Sequence, residues 1–176
     1  IGNIVTINKL RDNVSGEAVR LALLSSHYKQ PLDWNEKLIK DSQNTLDKWY
    51  SQFEKISSVE LKEDVLKPLK EDLNTPEYIA RLHSLFDEST KGDKSSKVKF
   101  LLACKQIGLL EDKKLWDDFK KSKVKIDENY INQRIKDRNK ARKEGNYKLA
   151  DTLRKELEDK GVIIEDKQET TIWKYK

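Results

Sequence analysis

Cysteine, histidine, methionine and proline are all scarce in this sequence of 176 residues. It contains one cysteine, Cys104, two histidines, His27 and His83, three prolines and no methionine. One cysteine cannot close an internal disulfide, and these three side chains do not form a cluster with metal-ligand spacing. We therefore predict no metal site in this segment. Cys104 falls in an apolar helical pattern and is predicted to be a buried small side chain.

Long apolar runs are absent as well. No run approaches the roughly 18 residues that a bilayer-spanning helix needs, and the amino terminus lacks the basic and then apolar pattern of a secretory signal. The sequence therefore predicts a cytoplasmic chain without a membrane partner. Because it starts at Ile1 and has no methionine, we expect that a complete translation product does not begin here.

The low content of turn-forming residues constrains the fold class. Only six glycines and three prolines interrupt the chain, which argues against a many-stranded sandwich with its frequent turns. Apolar residues make up 36% and charged residues 38%, so the buried surface must be spread over narrow stripes, as in amphipathic helices. The fold is predicted to be mainly α, a helical bundle followed by a small α+β subdomain.

Local signals place the first two helices of the bundle. The first is predicted from Gly16 to Gln30, where Pro31 blocks continuation. Asp33 and Glu36 have the spacing of a capping box that opens a long second helix. The apolar stripe of that helix recurs at three- and four-residue steps and consists of Leu38, Ile39, Leu46, Trp49, Tyr50, Phe53 and Ile56.

Three further segments complete the predicted bundle. Thr75 followed by Pro76 is a strong helix start, because Thr caps and Pro needs no amide partner at the first helical position. A polar loop is predicted at 91–96, before a helix that Gly108 terminates. One more short helix is predicted around three apolar residues, Leu115, Trp116 and Phe119.

The character of the sequence changes after a predicted linker at 120–125. A strongly charged helix is predicted at 127–145 and a second at 147–160, each ended by a glycine. The β-branched run at 162–164 favours a strand that pairs with 170–175. These segments predict two helices and a short β-hairpin.

The predicted organisation has three parts: a remnant at 1–15, a helical bundle at 16–120 and a small subdomain at 121–176. The net charge of +5 is concentrated near the carboxy terminus, since residues 120–176 carry 17 Lys and Arg against 11 Asp and Glu. Such an excess is expected where a surface contacts phosphates. Solvated lysine-rich helices are the simpler alternative.

Stretches along nearly the whole chain resemble the cysteinyl-tRNA synthetase family. Ile1-Gly2-Asn3 looks like the residues after the family's Lys-Met-Ser-Lys-Ser loop, and Gly16 to Trp34 resembles the helical segment beyond it. Asp72-Leu73-Asn74-Thr75-Pro76 looks like a short motif that precedes a helix in the family. The carboxy-terminal resemblance rests on a longer series: Arg138, Ala141-Arg142-Lys143, Tyr147, Ala150-Asp151, Arg154, Leu157, Gly161, Ile164-Glu165-Asp166 and Trp173.

In the family this last pattern forms the domain that recognises the GCA anticodon, so the resemblance implies tRNA(Cys) as the partner. A guanidinium can donate twice to a base edge, a carboxylate can accept from exocyclic amines, and rings can stack on unpaired bases. The sequence departs from the family pattern at 170–173, where Thr-Thr-Ile-Trp stands in place of Gly-Thr-Thr-Trp. Carried over by position, the polar readers are Arg142, Asp151, Arg154 and Asp166, and the aromatic residues that stack or shape the pocket are Tyr147 and Trp173.

The resemblance also implies what the whole enzyme does. It implies a class I synthetase with a bundle of the anticodon-binding type, a monomer that uses ATP and one zinc ion to charge tRNA(Cys) with cysteine. This chain contains no Gly-rich phosphate loop, and the residues of that chemistry are expected upstream of it. We predict that this chain has no catalytic residues and binds tRNA without making cysteinyl adenylate.

Simpler interpretations stay open beside the resemblance. A surface ion pair is the alternative for Asp151 and Arg154, and a plug in the subdomain core is the alternative for Trp173. His27 is expected to make a structural hydrogen bond at a helix end. For the whole chain the alternatives are a basic RNA-binding module indifferent to the anticodon, and a protein-interaction domain whose apolar stripe around Trp49 faces a partner.

Overall fold

The chain forms two compact units, Ile1–Lys113 and Lys114–Lys176. A computed structural model describes residues 6, 8, 10, 13–56, 63–124, 126–167 and 170–175. The described residues form eight helices and one two-stranded antiparallel sheet, which confirms the mainly α fold class. The helices are α1 (Gly16–Leu24), α2 (Glu36–Tyr50), α3 (Glu63–Lys70), α4 (Thr75–Thr90), α5 (Lys94–Gln106), α6 (Lys113–Lys123), α7 (Glu128–Lys143) and α8 (Tyr147–Asp159), and the strands are β1 (Val162–Asp166) and β2 (Thr171–Tyr175).

The core of the first unit is built from α1, α2, α4 and α5. Trp49 of α2 is only 1% exposed and packs edge-on against Phe100 of α5, with ring centroids 5.4 Å apart. The stripe around Trp49 therefore faces the core, which removes the main support for the protein-interaction alternative. Cys104 is fully buried, as predicted, and burial raises the pKa of its thiol well above the usual value.

The first two helices have different ends from those predicted. Helix α1 stops at Leu24 instead of Gln30, because the Ser25 hydroxyl donates to the Ala22 carbonyl oxygen at 2.7 Å and the chain turns away. Helix α2 begins after Asn35, whose side-chain oxygen accepts from the Leu38 amide at 2.9 Å. The predicted capping box at Asp33 and Glu36 is wrong, since the Asp33 carboxylate accepts from the Asn35 side-chain amide instead.

The end of α2 and the start of α5 also differ from the prediction. Helix α2 ends at Tyr50, so Phe53 and Ile56 follow the helix and do not belong to its stripe. Helix α5 begins inside the predicted loop at 91–96, because Asp93 caps it by accepting from the amides of Ser95 and Ser96. Because one aspartate side chain accepts from both amides, it satisfies two of the free N–H groups at the helix start.

Asn74 and Pro68 explain two further differences in the first unit. Helix α4 starts at Thr75 with Pro76 in its first turn, as predicted, but the cap is Asn74, which accepts from the Glu77 amide at 3.2 Å. Helix α3 was not predicted, because it contains Pro68. Proline cannot donate to the carbonyl four residues earlier, and that carbonyl, of Asp64, accepts from the Arg81 guanidinium of α4 instead.

His27 makes the structural hydrogen bond that was expected of it. Its Nε2 donates to the Asp72 carbonyl oxygen at 3.0 Å, and the Tyr28 hydroxyl donates to the Asp72 carboxylate at 2.7 Å. The loop after α1 is thereby joined to the loop before α4. His27 accordingly acts in packing within the first unit.

The predicted linker at 120–125 is largely helical. Helix α6 continues to Lys123, and its last turn carries Lys120, Lys121 and Lys123, which interact favourably with the carbonyl end of the helix dipole. The compact units divide after Lys113, whereas the domain boundary expected from the sequence lies after residue 120 and stays a prediction.

The second unit has the predicted order of two helices and a hairpin. Asp127 caps α7 by accepting from the Asn129 amide, and the chain leaves α8 through Gly161 with a φ of 86°. Strands β1 and β2 pair so that Ile164 lies opposite Trp173 and Asp166 opposite Thr171. The core of this unit consists of Ile131, Ile135, Leu157, Val162 and Ile164, with Val124, Ile126, Tyr130, Trp173 and Tyr175 packed against it.

Candidate nucleic-acid interface

One face of α7 changes from apolar to cationic along its length. Ile131, Ile135, Arg138 and Arg142 are spaced four, three and four residues apart, so they share one helical face. The two isoleucines belong to the core of the second unit, and the two arginines occupy the last turns of the helix. Cations at this end of a helix are favoured by its dipole.

The same face meets the end of β1. Val162, Ile164 and Asp166 alternate along the strand and therefore point to one side of the sheet, and the first two are buried. Asp166 follows them at the end of the strand. The antiparallel register places Thr171 of β2 directly opposite Asp166.

Asp166 is the centre of a network of charge-assisted hydrogen bonds. Arg138 donates to it twice, from Nη1 to Oδ1 at 2.8 Å and from Nη2 to Oδ2 at 2.7 Å. Arg142 donates from Nη1 to Oδ2 at 2.7 Å, and the Thr171 hydroxyl donates to Oδ1 at 3.0 Å. The side chain of Arg138 is 5% exposed whereas that of Arg142 is 47% exposed, so of the two only Arg142 can offer donors to a ligand.

The electrostatics of this network keep Asp166 ionised. Hydrogen bonds from Arg138, followed by those from Thr171 and the charge of Arg142, hold the pKa of the Asp166 carboxyl far below its usual range. The same interaction raises the pKa of the Arg138 guanidinium. Two cations beside one anion leave a net positive charge.

A shallow concavity opens beside this network, with a volume of about 490 Å³. That volume is within the range of about 300–1,000 Å³ typical of small-molecule sites. Tyr147, at the start of α8, is 67% exposed and supplies an aromatic surface there. The lining residues are Asn139, Arg142, Lys143, Tyr147, Asp166, Lys167, Thr170 and Thr171.

Three of the six predicted tRNA-binding residues, Arg142, Tyr147 and Asp166, come together in this concavity. Asp151 and Arg154 lie further along α8 and are exposed. The suggested ion pair between them is not the one observed, because Arg154 pairs with Glu158, its Nε 3.5 Å from Oε1. Arg154 also donates to the Ile164 carbonyl oxygen at 3.4 Å.

Trp173 faces the core side of the hairpin. It is half-buried, packs edge-on against Tyr175 with ring centroids 5.1 Å apart, and donates from Nε1 to the Asn132 side chain at 3.2 Å. These contacts favour the alternative of a core plug. A contact between Trp173 and RNA stays a prediction.

Sequence reasoning gave no role to Asn139 or Thr171. The Asn139 side-chain amide donates to the Thr171 hydroxyl at 3.1 Å, and that hydroxyl in turn donates to Asp166. The available signals were the position of Asn139 near the cationic face of α7 and the pairing of Thr171 with Asp166, which needs the strand register. Arg138 belonged to the family motif but received no role.

The residues that the structure describes do not fit a metal ion or a membrane span. In that part of the chain, no group of three or more His, Cys, Asp or Glu side chains is arranged to hold a metal. The zinc ion implied by the resemblance therefore has no donor set among them. None of the described helices is both long and apolar enough to cross a bilayer.

Comparison with known proteins bears on this interface. A family model described as "Cysteinyl-tRNA ligase anticodon binding domain" matches residues 130–173, which include the whole lining of the concavity. Over 99% of its length the chain is 53% identical to Cysteine--tRNA ligase of Pelagibacter ubique and 38% identical to that of Rickettsia prowazekii. It is 35% identical over 98% of its length to Cysteine--tRNA ligase of Afipia carboxidovorans. The chain spans only 38–39% of the length of these three relatives.

Proposed function

We propose, from the premise that this chain belongs to the cysteine–tRNA ligase family, that it is a tRNA-binding part of such a ligase and that its concavity reads the anticodon. The supporting observation is the arrangement of Arg142, Asp166 and Tyr147 around one open site. A guanidinium, an ionised carboxylate and an exposed ring are the groups that recognise unpaired bases. Lys143 and Lys167 add positive charge for the adjacent phosphates.

Each group has a defined part in this proposal. Arg142 is half exposed and donates to acceptor atoms on a base edge, while Tyr147 stacks on a base face, a contact worth about 1–3 kcal/mol. Asp151 and Arg154 extend the reading surface along α8. Trp173 supports the hairpin that carries this surface.

The activity of the whole protein is part of the same proposal. The three relatives are named as cysteine–tRNA ligases, and we propose that the complete protein charges tRNA(Cys) with cysteine by means of ATP and a zinc ion. We further propose that it acts in the cytoplasm as a monomer. This chain by itself should make no cysteinyl adenylate. ATP–pyrophosphate exchange by this chain would contradict the proposal that the catalytic residues lie outside it.

The test is equilibrium binding of the chain to tRNA(Cys) and to the same tRNA with a changed anticodon, at about 0.15 M salt. We expect binding to weaken at least about tenfold when the anticodon changes, because each good base contact contributes about 1–3 kcal/mol of discrimination. Arg142→Ala should erase most of that ratio. Lys136→Ala is the matched control, since it removes one positive charge from α7 without altering the lining of the concavity.

The alternative of a basic RNA-binding module predicts a different result. Its affinity would be the same for both tRNAs, and Arg142→Ala and Lys136→Ala would weaken binding to both tRNAs by similar factors. Equal binding of both tRNAs to the unmodified chain would therefore exclude anticodon reading.

A further inference from the structure

Among the residues that the structure describes, Arg138 is the one buried charged residue, with 4% of the whole residue exposed. It is not among the residues that line the concavity. A group in this position cannot read a base directly. Its effect on recognition must pass through the side chains that it contacts.

Burial of Arg138 is energetically expensive for the fold. A guanidinium loses its hydration when buried, and that loss is offset only by good partners. Its Nε is buried and has no hydrogen-bond partner in the part of the chain that the structure describes. The apolar face of α7, with Ile131 and Ile135, would continue more favourably with a leucine or methionine at this position.

The compensation for this burial is the forked contact with Asp166. Two parallel N–H groups at 2.8 and 2.7 Å fix both the position and the plane of the carboxylate. The Asp166 carboxylate accepts two bonds from Arg138, one from Arg142 and one from Thr171. Asp166, Arg142 and Thr171 all line the concavity. By fixing the Asp166 carboxylate, the buried Arg138 therefore also fixes the side chains that bond to this carboxylate on the exposed side.

We propose that Arg138 is a positioning residue for anticodon recognition, which fixes the Asp166 carboxylate so that Arg142 and Thr171 are held in the orientation that reads the base. The inference rests on the proposed function of the concavity. Arg138 itself contacts no RNA. Its loss should change selectivity between anticodons and leave the general attraction of the chain for RNA in place.

The experiment compares Arg138→Met with Arg134→Met in the 176-residue chain. Arg134 is one turn earlier on α7 and lies near Glu156 at 3.6 Å, so the control loses the same charge and the same donors without touching Asp166. The quantity measured is the ratio of affinities for tRNA(Cys) and the tRNA with a changed anticodon. We expect Arg138→Met to reduce that ratio about tenfold and to change affinity for the altered tRNA less than twofold, and Arg134→Met to preserve the ratio.

A second readout does not depend on RNA. The carboxyl resonance of Asp166, followed by NMR against pH, should titrate at a clearly higher pH in Arg138→Met than in the unmodified chain, and at an unchanged pH in Arg134→Met.

In an Asp166→Asn background, Arg138→Met should cause no further loss of the anticodon ratio. If Arg138→Met does not fold, Arg138→Lys takes its place, since it keeps the charge but cannot form the fork.

The outcomes separate the inference from the function on which it rests. A ratio near one in the unmodified chain would overturn anticodon reading itself. A large ratio that survives in Arg138→Met, with only thermal stability lowered, would overturn the positioning role and leave the proposed function standing. Loss of the ratio together with the shifted Asp166 titration supports the positioning role.

Discussion

At the scale of single residues, Asp166 connects the stability of the second unit to the concavity that is proposed to read the anticodon. Its carboxylate is 34% exposed and accepts hydrogen bonds from two guanidinium groups and a hydroxyl. These donor groups lose part of their hydration when they bond to Asp166. The result is a carboxylate that stays charged and a pair of arginines held close together in spite of their repulsion.

This arrangement predicts how stability depends on pH. The pKa of Asp166 is lower in the folded chain than the usual 3.8, so its contribution is fully present above about pH 4 and is lost as pH falls through the lowered folded-state value. Asp166→Asn should lower the free energy of unfolding at pH 7 by about 1–2 kcal/mol, a value reduced by partial exposure. It should also remove part of the destabilisation that is expected below pH 4.

Urea unfolding at pH 7 and pH 3 measures both effects. Asp151→Asn is the matched control, because Asp151 is an exposed carboxylate in the same unit. The same loss of stability between pH 7 and pH 3 in both variants would contradict the role assigned to the Asp166 network.

At the scale of helices and strands, prediction from sequence succeeded where several signals agreed. For α7 and α8, a capping Asp127, apolar anchors such as Ile131 and Ile135, and a terminal Gly161 all indicate the same boundaries. The ends of α1 and α2 were wrong, because competing caps lay within a few residues and only the folded chain shows which one is used. Helix α3 was missed since its proline violates helix propensity locally and is compensated from another helix.

That compensation predicts coupling between Arg81 and Pro68. Arg81→Leu should destabilise the first unit by about 1 kcal/mol, because the Asp64 carbonyl loses the donor that replaces the missing amide. In a Pro68→Ala background, residue 68 regains an N–H for that carbonyl, and Arg81→Leu should cost less. A double-mutant cycle measured by urea unfolding gives the coupling free energy, expected at about 0.5–1 kcal/mol.

Arg81 also pairs with Glu77 at 2.9 Å, so the cycle must separate the two interactions. Glu77→Gln with Arg81→Leu is the control cycle, and its coupling should be the same whether or not the chain also carries Pro68→Ala. No coupling between Arg81 and Pro68 would show that solvent satisfies the Asp64 carbonyl equally well.

At the scale of the whole molecule, the two compact units predict separable folding. The second unit has its own buried cluster, including Ile131, Leu157 and Val162, although a domain of this size has limited apolar surface to bury. We expect residues 114–176 expressed alone to give a helical circular dichroism spectrum and a cooperative thermal transition.

The same segment offers a control for specific packing. Leu157 is fully buried, so Leu157→Ala should remove about 2–5 kcal/mol and abolish the transition in so small a unit. Lys155→Ala, on the exposed side of the same helix, should leave it intact. A non-cooperative melt of the unmodified segment would contradict independent folding.

The candidate site could be predicted from the sequence only in part. The resemblance named six residues as one set, and three of them, Arg142, Tyr147 and Asp166, line the concavity. Asn139 and Thr171 become neighbours only through the strand register and the approach of β1 to α7, which no local pattern encodes. Burial of Arg138 is likewise a property of the folded unit, since an arginine on a charged helix is usually exposed.

The central claim, that the concavity reads the anticodon, is tested most directly by NMR titration of the isotope-labelled chain with an anticodon stem-loop of tRNA(Cys). We predict saturable shifts in the Asn139 side-chain amide, the Arg142 guanidinium and the Thr171 methyl group, and much weaker binding of a stem-loop with a changed anticodon. Shifts confined to lysines outside the concavity, equal for both RNAs, would contradict the account.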